Sequence, residues 1–148
     1  MHRRITIRGD KVYPSNGIRI YYIAYDTTEA SDYIAANKQA NIMLKRTGAI
    51  GQPIYAQVLG LFRLHAQKDS GNVQGLDVMW VQYYTVVDEN SVGGRCYPKL
   101  QLPTTQESYD FIDPQDISRG CHLIPDFASG RQAVNSENQV YKYYFVNM

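Results

Sequence analysis

The chain has 148 residues with a formal net charge of +1, and 44% of its residues are hydrophobic and 20% charged, values typical of globular proteins. The charge excludes broad electrostatic adhesion to nucleic acid, which needs clustered Lys and Arg. No apolar run approaches the ~20 residues of a membrane-spanning helix, and the amino terminus lacks the apolar stretch of a secretory signal. We therefore predict one domain over residues 1–148 that is intracellular, not secreted, and without a membrane partner.

Cysteine and glycine patterns give no sign of a cofactor. Cys96 and Cys121 are too few for a disulfide framework, and no CxxC or HxxxH spacing supports a metal site. The glycines form neither a dinucleotide-binding motif nor a phosphate-binding loop. Tyrosine, in contrast, is abundant, with 13 Tyr against 4 Phe and 1 Trp. This balance favours β structure and supplies rings whose hydroxyls tolerate half-buried positions.

The amino-terminal third is predicted to consist of short strands separated by turns. Arg4 to Arg8 alternates with the period of two that is typical of a strand. The Pro and Asn-Gly of Pro14 to Gly17 are a strong turn signal, and Ile18 to Tyr25 then reads as a second strand. Thr28 to Gln39 is predicted to be a loop with a helical turn, and Ala40 to Lys45 a short strand.

Two apolar runs in the middle of the chain are the strongest strand candidates. Ile54 to Phe62 and Val78 to Val87 are rich in β-branched and aromatic residues, and the polar, glycine-bearing segment His65–Gly75 lets them pair as antiparallel neighbours. They are predicted to be the central strands of a barrel. The residues expected in its core are Val58, Leu59, Leu61, Met79, Val81, Ile117 and Leu123.

After the central pair, turn signals and strand patterns continue to alternate. Asp88 to Gly94 is a turn by composition, and Pro98 limits Arg95 to Leu102 to an edge strand. Asp113-Pro114 combines a capping residue with proline at a first helical position, which predicts a short helical turn.

The carboxy-terminal part is predicted to return to the sheet. Arg119 to Ile124 reads as a strand, and Asp126 to Gln139 as a polar loop or tail. The aromatic segment Val140 to Val146 is too apolar to remain in water, so we expect it to dock onto the body with Lys142 facing solvent.

Three pieces of the sequence resemble, in this order, motifs of the bromo-adjacent homology domain, a β-barrel of chromatin proteins. They are Tyr55-Ala56-Gln57-Val58-Leu59-Gly60-Leu61-Phe62, Val81-Gln82-Tyr83-Tyr84 and Asp116-Ile117-Ser118-Arg119-Gly120-Cys121-His122-Leu123-Ile124. With the strand pattern, the resemblance predicts a mainly β fold: a partly open β-barrel with one or two short helical turns.

A second resemblance covers nearly the whole chain. The phrases IRGDKVYPSNGIRIYYIAYD, FIDPQDISRGCHLIPDFASGR and YKYYFVNM look like the carboxy-terminal region of basidiomycete proteins associated with Plavaka- and KDZ-type DNA transposons. This resemblance implies a nuclear, fungal, transposon-linked context and a domain excised from a longer chain. It implies no chemistry of its own.

Readers of methyl-lysine in the bromo-adjacent homology family suggest where a ligand would bind. Their cage aromatics map onto Tyr55, Tyr83 and Tyr97, with Tyr109 and Asp110 as neighbours. An aromatic cage binds a methylated ammonium group by cation–π attraction. The resemblance thus implies a non-catalytic module whose partner is a histone tail or another chromatin protein. The alternative is that these are ordinary sheet tyrosines with their hydroxyls at the rim.

Two other functional classes are an enzyme and a nucleic-acid-binding domain. An enzyme is disfavoured because His65 and His122 lack partners in the sequence, and because Cys121 and His122, adjacent in a strand, point to opposite faces. The main alternative is an accessory domain that binds DNA or RNA with basic side chains and stacking tyrosines. Its candidate contacts are Arg3, Arg4, Arg8, Arg19, Lys45 and Arg46. The sequence leaves the ligand and the oligomeric state open.

Overall fold

The fold is mainly β, and its sheet curls into an open half-barrel, which confirms the predicted fold class. The computed structural model describes residues 5–23, 28–35, 38, 40–47, 53–69, 71–92, 95–103, 106–133 and 139–147. The strands are β1 (Ile5–Pro14), β2 (Gly17–Ile23), β3 (Glu29–Ala35), β4 (Ala40–Thr47), β5 (Pro53–Lys68), β6 (Val73–Tyr83), β7 (Thr85–Val92), β8 (Arg95–Gln101), β9 (Tyr109–Ile112), β10 (Ile117–Pro125), β11 (Arg131–Ala133), β12 (Gln139–Tyr141) and β13 (Tyr144–Asn147). Short 3₁₀ turns span Gln106–Ser108, Pro114–Asp116 and Phe127–Ser129.

One large sheet organises the described residues. Its strands follow the order β7-β8-β13-β10-β4-β5-β6-β9, and β1 pairs with the second half of β5. All of these pairs are antiparallel. As in any β-strand, adjacent residues point to opposite faces of the sheet. Two separate hairpins are formed by β2 with β3 and by β11 with β12.

Apolar side chains are buried on both faces of this sheet. One face carries a main core, which the β2–β3 hairpin covers with Ile20 and Ile34. The buried members of the main core are Ile20, Ile34, Ile42, Leu44, Ala56, Val58, Leu61, Met79, Val81, Ile112 and Ile117. The other face carries a smaller second core of Tyr55, Leu100 and Val146. The sheet therefore separates two apolar clusters instead of enclosing one.

A β-bulge at Leu59 corrects one predicted core position. The pairing of β5 with β6 shifts between Val58 and Gly60, so Leu59 is the extra residue and is 39% exposed. Gly60 follows the bulge, where an added Cβ would lie 2.9 Å from the Phe62 ring. Beyond it, Leu61 points into the main core and is 3% exposed. The other predicted core residues are buried, except Leu123, which is half-buried against the second core.

Two predicted loops are strands in the structure. Thr28 to Gln39 contains β3, whose residues pair with β2 over its full length, from Gly17 with Ala35 to Ile23 with Glu29. That pairing and the burial of Ile34 outweigh the helical tendency of the local sequence. His65–Gly75 is likewise mostly strand, because β5 and β6 stay paired as far as Gln67 with Val73.

The prediction for the segment after β6 is also wrong in two respects. Asp88 to Val92 continues β7 instead of turning, and residues 93 and 94 lie outside the described part of the chain. The strand that was predicted at an edge, β8, lies between β7 and β13. Pro98 is accommodated there because β13 pairs only with Lys99 and Leu100, just beyond the proline.

The prediction for Asp113-Pro114 is confirmed. Asp113 has an extended conformation, accepts a hydrogen bond of 2.9 Å from the backbone N–H of Gln115, and is followed by proline at the first position of the 3₁₀ turn. The turn leads directly into β10.

The docking of the closing segment is confirmed as well. β13 pairs with β10 on one side and with β8 on the other, and Val146 is 2% exposed, whereas Lys142 is exposed. Since β13 is the link between β8 and β10, this strand attaches the β7–β8 pair to the rest of the sheet.

Candidate functional site

The structure does not bring the predicted cage residues together. Tyr55 is 2% exposed and belongs to the second core, while Tyr83 packs against the main core. The reason is the register: Tyr83 pairs with Ala56, so it shares the face of Ala56 and points away from Tyr55. The expected convergence of Tyr55 and Tyr83 is therefore wrong. Tyr97 lies in β8, and its side chain is outside the described part of the structure.

The other two predicted neighbours are also divided between the faces of the sheet. The Tyr83 hydroxyl donates a 2.7 Å hydrogen bond to Asp110 Oδ2, so this predicted pair is in contact. Tyr109 lies on the opposite face, where its ring stacks on Trp80 with centroids 5.4 Å apart. The four described side chains, those of Tyr55, Tyr83, Tyr109 and Asp110, thus form no common binding space.

Three other tyrosines do converge, around a cavity that we call the tyrosine pocket. Tyr84, Tyr141 and Tyr144 line it, and its volume is about 210 Å³. The rings of Tyr84 and Tyr144 lie 6.2 Å apart at 66°, and those of Tyr141 and Tyr144 lie 6.3 Å apart at 82°. In each of these pairs the rings pack edge to face. The remaining wall residues are Asn41, Gln57, Leu102, Leu123 and Pro125.

Backbone hydrogen bonds hold the three tyrosines in place. Tyr84 follows the end of β6, and its N–H donates to the carbonyl of Tyr55 at 2.9 Å. Tyr144 begins β13 and pairs with both Leu100 and Pro125. Tyr141 ends β12, where Arg131 lies over its ring at 4.8 Å and donates a hydrogen bond to its hydroxyl. The pocket therefore lies between the end of β6, the start of β13 and the β11–β12 hairpin.

The tyrosine pocket is electrically neutral. Burial raises the pKa of Tyr84, with smaller contributions from Tyr144 and Cys121, and burial also raises the pKa of Tyr144. The Tyr84 hydroxyl donates to Asn41 Oδ1 at 2.7 Å. No charged side chain is found among the described residues that line the pocket. Tyr84 and Tyr144 therefore present uncharged phenol rings at neutral pH.

A larger groove adjoins the tyrosine pocket. It has a volume of about 860 Å³, runs between the β2–β3 hairpin and the β4–β10 pair, and shares Asn41 and Leu123 with the pocket. Two contacts hold its walls together: the N–H of Gly120 donates to Asp32 Oδ2 at 2.9 Å, and the Arg119 guanidinium lies 5.2 Å from the centre of the Tyr22 ring.

Cys121 lines this groove but is poorly suited to act as a nucleophile. Burial raises the pKa of its thiol to about 12, and this effect outweighs the opposite influence of Arg119. A thiol attacks as the thiolate, so Cys121 is unreactive near neutral pH.

The raised thiol pKa predicts a loss of stability in alkali. The folded state keeps a proton that the unfolded state loses from ~pH 8.5 upward, so the free energy of unfolding should fall as the pH rises above that value. The difference in absorbance at 240 nm between Cys96→Ser and Cys96→Ser with Cys121→Ala, which cancels the absorption of the 13 tyrosines, should show thiolate appearing only as the pH approaches about 12. Thiolate formation near pH 8.5 in the folded protein would contradict the buried position. Cys121→Ala is the control, because it removes this titration.

The nucleic-acid candidates are only partly within the described residues. Arg3 and Arg4 lie outside them, and the side chains of Arg8 and Arg46 are not described. Arg19 and Lys45 line the same depression of about 530 Å³, which Asp77 and Asp113 also line. Since the two carboxylates balance the two cations, this arrangement does not favour phosphate over other ligands. Nucleic-acid binding stays a prediction.

Sequence reasoning missed the tyrosine pocket for a definable reason. Its rings come from Val81-Gln82-Tyr83-Tyr84 and from Tyr141 to Tyr144, two aromatic segments far apart in the chain. The choice of Tyr83 over Tyr84 depends on which face each side chain occupies, and that is set by strand register. The available signal was the density of tyrosine in the closing segment.

Comparisons with known proteins add no assignment. No protein-family model matches the chain, and no curated protein or solved structure matches it. Within the described residues, no group of three or more His, Cys, Asp or Glu side chains is placed to hold a metal ion. In the same part of the chain, no helix is long and apolar enough to span a membrane.

Proposed function

We propose that this chain is a non-catalytic protein-interaction module that holds a methylated lysine of a histone tail in the tyrosine pocket. The observation that carries the proposal is the convergence of Tyr84, Tyr141 and Tyr144 on one small cavity. The resemblance to transposon-associated proteins supports a nuclear context, in which the partner is a histone tail or another chromatin protein.

The chemistry of the pocket suits an alkylated ammonium group. Tyrosine rings attract a cation that lies within ~6 Å of their centres, and the attraction contributes ~0.5–2 kcal/mol, more where water is excluded. A cavity of about 210 Å³ is smaller than the ~300–1,000 Å³ of sites for whole small molecules. It therefore fits the head group of one side chain. Its lining offers no carboxylate with which unmethylated lysine could form a salt bridge, and Tyr84 and Tyr144 are the rings without the Arg131 guanidinium over them.

The groove gives the rest of the peptide a place to lie. Because the groove and the pocket share Asn41 and Leu123, an extended peptide in the groove could place one side chain between the tyrosines. Asp32, Lys38 and Arg119 all line the groove, so its charge does not select a basic tail, and the exposed Tyr33 offers an apolar surface. Recognition by a groove with one selective pocket is a common mode of peptide binding.

Binding to modified histone-tail peptides tests this proposal. Fluorescence polarisation with peptides carrying unmodified, mono-, di- or trimethylated lysine should show the tightest binding to a methylated form. Tyr144→Ala should weaken that binding ~2- to 30-fold, the range expected for loss of one cation–π partner, while Tyr144→Phe keeps the ring and should bind normally. Tyr21→Ala is a matched control, since Tyr21 is 72% exposed on β2 and does not line the pocket.

Two results would overturn the proposal. The first is equal affinity for methylated and unmodified peptides in the wild-type protein. The second is binding to short DNA that is stronger than any peptide binding and falls steeply with salt, because that dependence is the signature of phosphate contacts.

A further inference from the structure

An exposed aromatic row lies at the β9 end of the sheet, two strands from Gln57 of the tyrosine pocket. We define it by Trp80 of β6 and Tyr109 and Phe111 of β9. Trp80 contacts both of the others, with ring centroids 5.4 Å from Tyr109 and 4.5 Å from Phe111. Phe111 is nevertheless 59% exposed and Tyr109 39% exposed. The bulged Leu59, 39% exposed, adds to the apolar surface of the molecule.

The strand that carries this row is the last strand of the sheet. Among the described residues β9 pairs with β6 alone, so its outer side is a sheet edge. Tyr109–Ile112 contains no Lys, Pro or bulge; its short length of four residues and the charge of Asp110 are its only edge protection. An edge with exposed aromatic side chains is suited to accept an additional strand.

The charge around β9 indicates whether this edge would accept a second copy of itself or a basic strand of another protein. The segment 106–118 contains four carboxylates, Glu107, Asp110, Asp113 and Asp116, all on exposed residues, and no Lys or Arg. β6 contributes Asp77 and no basic residue. A second copy of the same edge would bring like charges together, which is unfavourable. A basic strand would gain from these carboxylates and could stack arginine on the aromatic row.

We propose that β9 is a second interaction surface, which binds an extended, arginine- or lysine-rich segment of a partner protein by strand addition. The segment extends the sheet beyond β9 and lays cationic side chains over Trp80, Tyr109 and Phe111. Glu107 and Asp116 flank the edge and favour a basic partner. This surface is independent of the tyrosine pocket and requires no methylated residue.

The single tryptophan of the chain makes a direct test available, because Trp80 fluorescence reports on the aromatic row alone. The probe is a nine-residue peptide of alternating arginine and valine, titrated into the full chain. We expect saturable binding with a change in Trp80 emission. The same peptide methylated on every backbone nitrogen should not bind, since neither of its edges can then donate to the strand ladder, and a glutamate-for-arginine peptide should not bind either.

Variants of the protein complete the test. Phe111→Ser should weaken binding ~3- to 10-fold through loss of a cation–π surface, whereas Tyr21→Ser, a similarly exposed aromatic on β2, should not. Glu107→Lys with Asp116→Lys should weaken binding most at low salt. Tyr144→Ala should leave it unchanged. Three binding results would overturn the proposal: equal binding of the basic and acidic peptides, binding of the N-methylated peptide, or binding without a change in Trp80 emission. A dimer of this chain that forms through β9, detected by sedimentation, would overturn it as well.

Discussion

Replacement of Leu61 by alanine is expected to destabilise the protein by ~2–5 kcal/mol, the range measured for buried Leu to Ala changes. Leu61 is 3% exposed and packs in the main core, so the shortened side chain would leave a cavity that the surrounding strands can fill only in part. Urea unfolding monitored by circular dichroism gives the free energy of unfolding, and the midpoint should shift without a change in slope.

Leu59→Ala is the matched control, because it makes the same chemical change two residues away on the same strand. Leu59 is 39% exposed at the bulge, so its truncation should cost about 0.5 kcal/mol, as for surface positions. A strand without a bulge would place Leu59 and Leu61 on the same face and give two similar losses. Equal destabilisation by the two variants would therefore contradict the register between β5 and β6.

Val146→Asp is expected to have a still larger effect. Val146 is 2% exposed in the second core, and a carboxylate there would be buried among Tyr55 and Leu100 without a counter-ion. Burial of an unpaired charge costs several kcal/mol or forces local unfolding. Because β13 connects β8 to β10, detachment of this strand would also release β7 and β8 from the sheet. We expect a lowered melting temperature, a less cooperative transition and aggregation.

Asn147→Asp introduces the same charge one residue later and serves as the control. Asn147 is exposed, so this variant should retain the melting temperature of the wild type within a few degrees. Removal of residues 144–148 should reproduce the effect of Val146→Asp. A monomeric and fully stable deletion variant would show that the closing strand does not hold the second core together.

The closing strand also connects stability to the candidate site. Tyr144 lines the tyrosine pocket, and Val146, two residues later on the same strand, fills the second core. Loss of ligand binding in Val146→Asp would therefore follow from loss of the pocket itself. Tyr144→Phe and Tyr144→Ala avoid this ambiguity. The first removes only the hydroxyl and the second removes the ring, and both leave the paired backbone of β13 in place.

Local signals in the sequence were sufficient for much of the fold. The Pro and Asn-Gly between β1 and β2, the proline and aspartate at the 3₁₀ turn before β10, and the β-branched runs of β5 and β6 all specify backbone conformation within a few residues. The apolar closing segment likewise had to be buried, whatever its partner. Each of these features depends on residues close together in the chain.

Long-range pairing determined the rest. Pairing with β2 makes a strand of β3, and a single bulge turns Leu59 outward and Leu61 inward. The same register directs Tyr83 towards the main core, while Tyr84 joins Tyr141 and Tyr144 in the pocket. Side chains alternate between the faces of a strand, so a shift of one residue exchanges every neighbour across the sheet. The composition of the chain thus predicted abundant half-buried tyrosines, and the strand register decided which of them line one cavity.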